Sequence, residues 1–284
     1  MGKTERKWAY RELGLDILLN ALEFLLGTNH LHYGYFSDGL EAKLFNLTKA
    51  QDAHSELIIA NIPKGVKRIL DVGCGAGTLA EKLHDAGYQV ECVCPSDTLF
   101  DRARKRLQDK VTIHKCYYED FECQQPFDLV LFSESFQYID IDASITKSLK
   151  MLGPEGHILI CDFFKIDAEG KSPFSGGHYF PKFETKIAGY PLKMLTDIDI
   201  SQETGLTMDI FNDFLMAVAV PAKKRLDEFA PKWHPWLYKM ITWKFKKKLA
   251  KVERKYLTGA KSSKNFCKHK SYRLFLFERK EKDA

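Results

Sequence analysis

The chain offers little that would mark several large protein classes. Its seven cysteines are odd in number and contain no C-x-x-C pair, so neither a disulfide framework nor a thiolate zinc site is signalled. Cys74, Cys92, Cys94, Cys116, Cys123, Cys161 and Cys267 lie mostly in apolar, strand-like runs, as reduced core thiols of a cytoplasmic protein would. No metal-ligand spacing, internal repeat or low-complexity tract is present, and the Lys-rich run 244–255 is the nearest thing to one. The apolar stretch Leu13–Leu26 is interrupted by Asp16, Asn20 and Glu23 at helical spacing. It therefore reads as an amphipathic helix, not as a signal peptide or transmembrane segment.

What is present suits one large α/β domain with an elaborated lid. The chain has 284 residues, 45% of them hydrophobic, and a formal net charge of +5 whose excess falls late. Residues 1–64 read as an N-terminal helical cap. One helix runs from Glu5 to Leu26 and a second from Leu40 to Ala60, with an aromatic loop around His32–Phe36 between them.

From Lys67 strands and helices alternate. The strands are Arg68–Val72, Gln89–Cys94, Val111–Lys115, Phe127–Ser133 and His157–Phe163, and the helices between them are Thr78–Ala86, Asp97–Leu107 and Ala143–Leu152. Apolar strands alternating with helices predict a mostly parallel sheet covered on both faces, with ligands at the carboxyl ends of its strands. Ser172–His178 is expected as a loop and Leu192–Ile200 as a strand. A helical insertion at about 207–256, broken at Pro221, Pro231 and Pro235, leads to a last strand at Tyr272–Glu278.

The organising stretch is Ile69–Leu79, I-L-D-V-G-C-G-A-G-T-L. An apolar strand ends at Asp71, glycines follow at 73, 75 and 77, and a helix begins at once. Glycines let backbone approach a ligand, and the helix start offers free N–H groups. Thr78 stands where the nicotinamide fingerprint G-x-G-x-x-G needs glycine, and no P-loop lysine follows.

This D-x-G-x-G-x-G turn resembles the motif of class I S-adenosylmethionine-dependent methyltransferases. The loop His32-Tyr33-Gly34-Tyr35-Phe36 is similar to that of the family's small-molecule and lipid branch, which includes cyclopropane fatty acid synthases and tocopherol and alkaloid N-methyltransferases. The resemblance covers residues 30–164 and the last strand. It implies a Rossmann-like, seven-stranded, mostly parallel sheet with helices on both faces. Residues 65–284 would be the methyltransferase domain, carrying a cap before it and a helical lid before the last strand.

The resemblance also implies S-adenosylmethionine as cofactor and S-adenosylhomocysteine as product. Asp71, Gly73, Cys74 and Gly75 would hold the methionine end, and Tyr33 would touch the cofactor. The family's acidic residue at the second strand tip, about 20 residues beyond the turn, is here Cys94. Pro95, Ser96 or Asp97 would then meet the ribose, with Asp97 an equally good helix N-cap. Glu119 or Asp120 would lie near the adenine. Ser133 would reach the methionine end, with Glu134 and Tyr138 facing the acceptor. Glu134 is the first choice for a catalytic base, with His32 and His178 behind it.

The acceptor implied is a small apolar or amphipathic metabolite, methylated at N, O or C. The aromatic residues between Phe211 and Tyr256, and the basic 244–255 run, fit an anionic or lipid-like molecule. Two alternatives stay open. One is a nucleic-acid methyltransferase that clamps its substrate with the basic helix, although the N/D-P-P-Y signature is absent after the fourth strand. The other is an S-adenosylmethionine-binding protein without catalysis.

Overall fold

The computed structural model describes residues 3–280; residues 1–2 of the expected cap and 281–284 of the expected main domain lie outside the described residues. At its centre is a seven-stranded sheet ordered β3-β2-β1-β4-β5-β7-β6. The strands are β1 (Arg68–Val72), β2 (Gln89–Val93), β3 (Thr112–His114), β4 (Phe127–Ser133), β5 (Leu152–Lys165), β6 (Leu192–Asp199) and β7 (Lys270–Arg279). The first five in chain order pair in parallel, and β7 runs antiparallel between β5 and β6.

Alternation along the strands divides the core in two. Leu70, Val72, Val130, Phe132, Ile158 and Ile160 face α5 (Ile141–Met151) and α6 (Phe180–Ile187). Ile69, Leu129, Leu131, Leu159 and Cys161 face the other way. They meet α2 (Leu47–Ala60), α3 (Thr78–Asp85), α4 (Asp97–Leu107), α7 (Ser201–Phe214) and α10 (Ser263–His269). Both faces are therefore dry, as the continuous apolar strands require.

Helix α1 (Lys3–Leu26) lies over α4. Among the described residues, its polar stripe meets Arg102, whose guanidinium reaches Asp16 at 2.8 Å, Asn20 at 2.6 Å and Glu23 at 3.2 Å. Its apolar side, Leu22 and Leu26, packs with Phe36, Leu47, Ala50 and Ile210.

Two local expectations need correction, and two short helices are unforeseen. The second helix starts at Leu47, after a 3-10 turn at Leu44–Asn46, not at Leu40. Strand β5 begins at Leu152, not His157: Gly153-Pro-Glu-Gly156 reads as a turn, yet Leu152 still pairs with Phe127. Helices α6 and α10 are short and follow irregular, turn-like stretches that hide them.

Of the three prolines expected to break the late helices, only Pro235 does, opening α9 (Pro235–Tyr256) after His234 at φ −138°. Pro221 falls in the first turn of α8 (Val220–Trp233), directly after a widened π turn at Leu215–Ala219. A π turn absorbs the missing N–H and the ring. Pro231 sits in the last turn of α8 and leaves it unbroken.

Candidate functional site

Strand order reverses around β1, so the crevice opens beyond the carboxyl ends of β1 and β4. There the chain turns at Gly73, whose φ is 79°. A Cβ at Gly73 would come 2.7 Å from the Ser135 Cβ, so only glycine lets the turn after β1 meet the loop after β4. Gly77, also left-handed at φ 84°, caps α3.

A cavity of about 270 Å³ occupies this crevice. Asp71, Gly73, Cys74 and Gly75 form its floor, with Cys94, Pro95 and Ser96 from the tip of β2 and Ser133, Glu134 and Tyr138 from the tip of β4. The cap contributes Asn29, His30, Leu31 and His32. Three polar atoms around the cavity are buried without a partner among the described residues: Asp71 Oδ2, Thr78 Oγ1 and Ser135 Oγ. Buried polar atoms are rarely left unpaired, so this cluster fits a polar ligand. Burial alone raises the Asp71 carboxyl to about 7.

Glu134 also lines the cavity, in the left-handed region at φ 51°, where a non-glycine residue is strained. Its backbone N–H donates to Cys161 O at 2.8 Å. Its Oε1 accepts from the Tyr33 backbone N–H at 2.7 Å and the Tyr272 hydroxyl at 2.8 Å. Burial lifts the carboxyl to about 7, against the lowering effect of those two donors.

Behind Glu134 the polar chain continues. His54 Nε2 stands 2.9 Å from the Tyr272 oxygen. Because that hydroxyl donates to Glu134, His54 must donate from Nε2, which leaves its unpartnered Nδ1 as the bare nitrogen. His54 stacks on His32 with ring centres 4.5 Å apart.

His32 was a catalytic candidate, and the structure commits both its nitrogens elsewhere. Nδ1 donates to Tyr33 O at 2.9 Å and Nε2 lies 2.9 Å from His30 Nδ1. Burial pushes its pKa down to about 3, so it serves as a neutral strut of the cap. Asp52 anchors the far end of this chain, 3.3 Å from His30 Nε2 and 2.6 Å from Lys82 Nζ.

Four other candidates do not reach the cavity wall. The Tyr33 ring turns away, stacks on Phe163 at 5.9 Å and directs its hydroxyl to Met208 Sδ; its backbone reaches the site through Glu134. Glu119 and Asp120 sit exposed in the 3-10 turn after β3. His178 Nε2 lies within 3.0 Å of Phe136 O and 2.9 Å of Ile139 O, so it braces the loop that carries Tyr138. Ser96, not Asp97, is the N-cap of α4, accepting from Leu99 N–H at 3.2 Å. Asp97 turns outward to Lys115. The Cys94 thiol is buried, 3.8 Å from Ser96 O.

The sequence reading missed Tyr272, Gln51 and Asp162. Gln51 Nε2 donates to His32 O at 2.8 Å. Asp162 accepts from Gln137 N–H at 3.0 Å, its side-chain amide at 3.1 Å and Phe163 N–H at 2.8 Å, fixing the loop after β4. The available signal was polar residues on apolar stripes, such as Gln51 and His54 on α2.

Comparison with known proteins agrees with this geometry. A methyltransferase-domain family model matches residues 69–156. The ubiquinone biosynthesis O-methyltransferase of Bradyrhizobium diazoefficiens is 34% identical over 101 residues, 34% of this chain and 40% of that protein. Such matches span 38–57% of the curated relatives' own length.

The solved structure of the [4+2]-cyclase SpnF covers 96% of this chain and 95% of its own at a TM-score of 0.67 and 17% identity. Geranyl diphosphate C-methyltransferase from Streptomyces coelicolor covers 91% of both chains at 0.63 and 16%. Residues 69–156 thus match a methyltransferase-domain model, and the chain as a whole shares the Rossmann-like fold of these solved structures.

Proposed function

We propose that this protein transfers the methyl group of S-adenosylmethionine to a small apolar or amphipathic acceptor, at nitrogen, oxygen or carbon. The observation that carries the reading is the unpartnered Asp71 Oδ2 beside the glycine turn. A buried carboxylate there suits an ammonium, and the N–H groups of the turn and α3 suit a carboxylate. Thr78 Oγ1 and Ser135 Oγ add two more unpaired groups at the same end. Pro95, Ser96 and Leu99 would line the adenosine end, with no acidic grip on the ribose at Cys94. When bound, the cofactor supplies a methyl group on an electrophilic sulfonium.

The chain's own contribution is positioning and exclusion of water. The cap closes over the cavity with His30, Leu31 and His32, and Glu134 locks it down through Tyr33 N–H. With its pKa near 7, Glu134 can take the proton of an acceptor hydroxyl, amine or acidic carbon. Tyr138 would touch the acceptor on the same side. Relatives named for ubiquinone biosynthesis and geranyl diphosphate support an apolar acceptor of anionic or lipid-like character.

The test is transfer of labelled methyl from S-adenosylmethionine to a panel of isoprenoid diphosphates, fatty acids, phenols and amines. Glu134→Gln retains an oxygen that can accept from Tyr33 and Tyr272 but removes the base. It is expected to keep cofactor affinity and to slow turnover by about a hundredfold or more. An unchanged rate removes Glu134 from the mechanism. Cofactor binding without transfer to any acceptor favours a non-catalytic binding protein.

A further inference from the structure

We propose that helices α8 and α9 form a docking arm for an anionic lipid bilayer. None of the described residues in either helix, or in the π turn that joins them to α7, is buried. Yet the arm is rich in large apolar side chains. Trp233, Trp236 and Trp243, three of the chain's four tryptophans, are 67%, 75% and 80% exposed. Phe229 stacks on Trp233 in the open, and Leu226, Leu237 and Leu249 are also exposed. Tryptophan favours the boundary between headgroups and hydrocarbon.

Charge selects the partner. Residues 220–256 contain twelve lysines and arginines against three acidic residues, whereas the remaining chain has 31 basic and 35 acidic residues. The positive excess of the protein is thus confined to the segment that exposes the tryptophans. Exposed apolar side chains beside lysines whose stems can snorkel are the makings of an interfacial helix.

The segment Ser201–Trp233 is long and apolar enough, by length and composition, to cross a membrane. Its first part is held in the domain, with Ser201, Thr204, Gly205 and Met208 buried, and α8 carries Lys223, Lys224, Arg225 and Lys232. The arm therefore lies on a bilayer and does not span it. It is internally braced: Asp227 receives Lys223 Nζ at 2.6 Å and the Tyr238 hydroxyl of α9 at 3.3 Å.

At the end of α9 toward the domain, Lys251, Arg254 and Lys255 join Lys171 and His269 around a cavity of about 460 Å³ that has no acidic side chain among the described residues of its wall. That chemistry suits the phosphate of a lipid headgroup. The other wall, loop 171–175, runs on to Gly177, whose N–H donates to Gln137 Oε1 at 3.1 Å beside the candidate site. The arm would bring a membrane-borne acceptor to the protein's active face. The proposal does not depend on methyl transfer, because docking is measured without cofactor or acceptor.

The experiment is sedimentation of the full chain with vesicles of phosphatidylcholine, alone or equimolar with phosphatidylglycerol. Binding is expected to be at least about tenfold tighter on the anionic vesicles and to fade in high salt. The triple change Lys244→Glu, Lys246→Glu and Lys247→Glu is expected to weaken it by about a hundredfold or more, and Trp236→Ser with Trp243→Ser to weaken it at unchanged salt dependence. All five sites are exposed, and circular dichroism checks that the variants fold.

Equal, weak binding to both vesicle types overturns the proposal, as does unaltered binding by the lysine variant. So does concentration-dependent dimerisation, lost in the tryptophan variant, without vesicle binding. Binding of single-stranded RNA in place of vesicles overturns it in favour of a nucleic-acid clamp.

Discussion

The Tyr272 hydroxyl donates to Glu134 Oε1 across 2.8 Å, joining the start of the last strand to the loop after β4. The same carboxylate oxygen holds the cap loop through Tyr33 N–H. One buried acid therefore couples sheet, cap and cavity. Its two donors favour the ionised form while burial disfavours it, and the balance falls near neutrality.

Tyr272→Phe removes one of those donors. The Glu134 carboxyl should then ionise at higher pH, so the rising limb of the pH profile for kcat/KM is expected to move to higher pH. His54 Nε2 also loses its 2.9 Å partner. Leaving buried polar groups unpaired should cost about 1–3 kcal/mol of stability. A limb that stays in place would show that Glu134 does not govern the rate.

Much of this site was legible in the sequence. The glycine spacing at 73, 75 and 77 and the strand ahead of it place the cavity, because only a strand, turn and helix start satisfies both pattern and glycine. Ser133, Glu134 and Tyr138 follow from the position of β4. His32 lies in the cavity wall, but the Tyr33 ring turns away from it to Phe163 and Met208: a loop has no period, so which side chain turns inward depends on packing by α2 and α7. Tyr272 and Glu134 lie 138 residues apart, a pairing no local pattern encodes. The exposure of α8 and α9 was hidden for the opposite reason, since apolar helical spacing ordinarily means core.

Arg102→Ala tests how the cap is held. One guanidinium gathers Asp16, Asn20 and Glu23, the polar stripe of α1. The expected loss is about 1 kcal/mol or less, a fall in Tm of about 2 °C or less, with faster amide exchange in α1. Unchanged exchange in α1 would show that the apolar contacts of Leu22 and Leu26 hold the cap alone.

Buried carboxyls make stability depend on pH. Burial lifts Asp71 and Glu134 to about 7 and Asp162 to about 8. For an acid raised in the fold, the native chain keeps a proton that the unfolded chain has released. Its stabilising contribution is full below the ordinary carboxyl pKa and is lost as pH rises through the folded value. His32 and His54, lowered by burial, act in the other direction and reduce stability as pH falls below about 6.5. Comparing wild type with Asp71→Asn isolates one group. The variant's Tm is expected to gain on wild type as pH rises from about 4 to about 7, then hold a constant offset. A pH-independent offset would mean that Asp71 is not raised.

Calorimetric titration of the full chain with S-adenosylhomocysteine, beside Gly75→Arg, tests the central claim most directly. Gly75 lines the cavity at φ 58°, and the nearest side-chain atom to a Cβ there is Leu31 Cδ1 at 3.9 Å. An arginine would therefore strain the turn and fill the cavity while leaving the sheet intact, which circular dichroism verifies. The expected result is one-site binding by the wild type and none by the folded variant. Absence of binding to the wild type, or equal affinity in both, would contradict the assignment of this cavity to the cofactor.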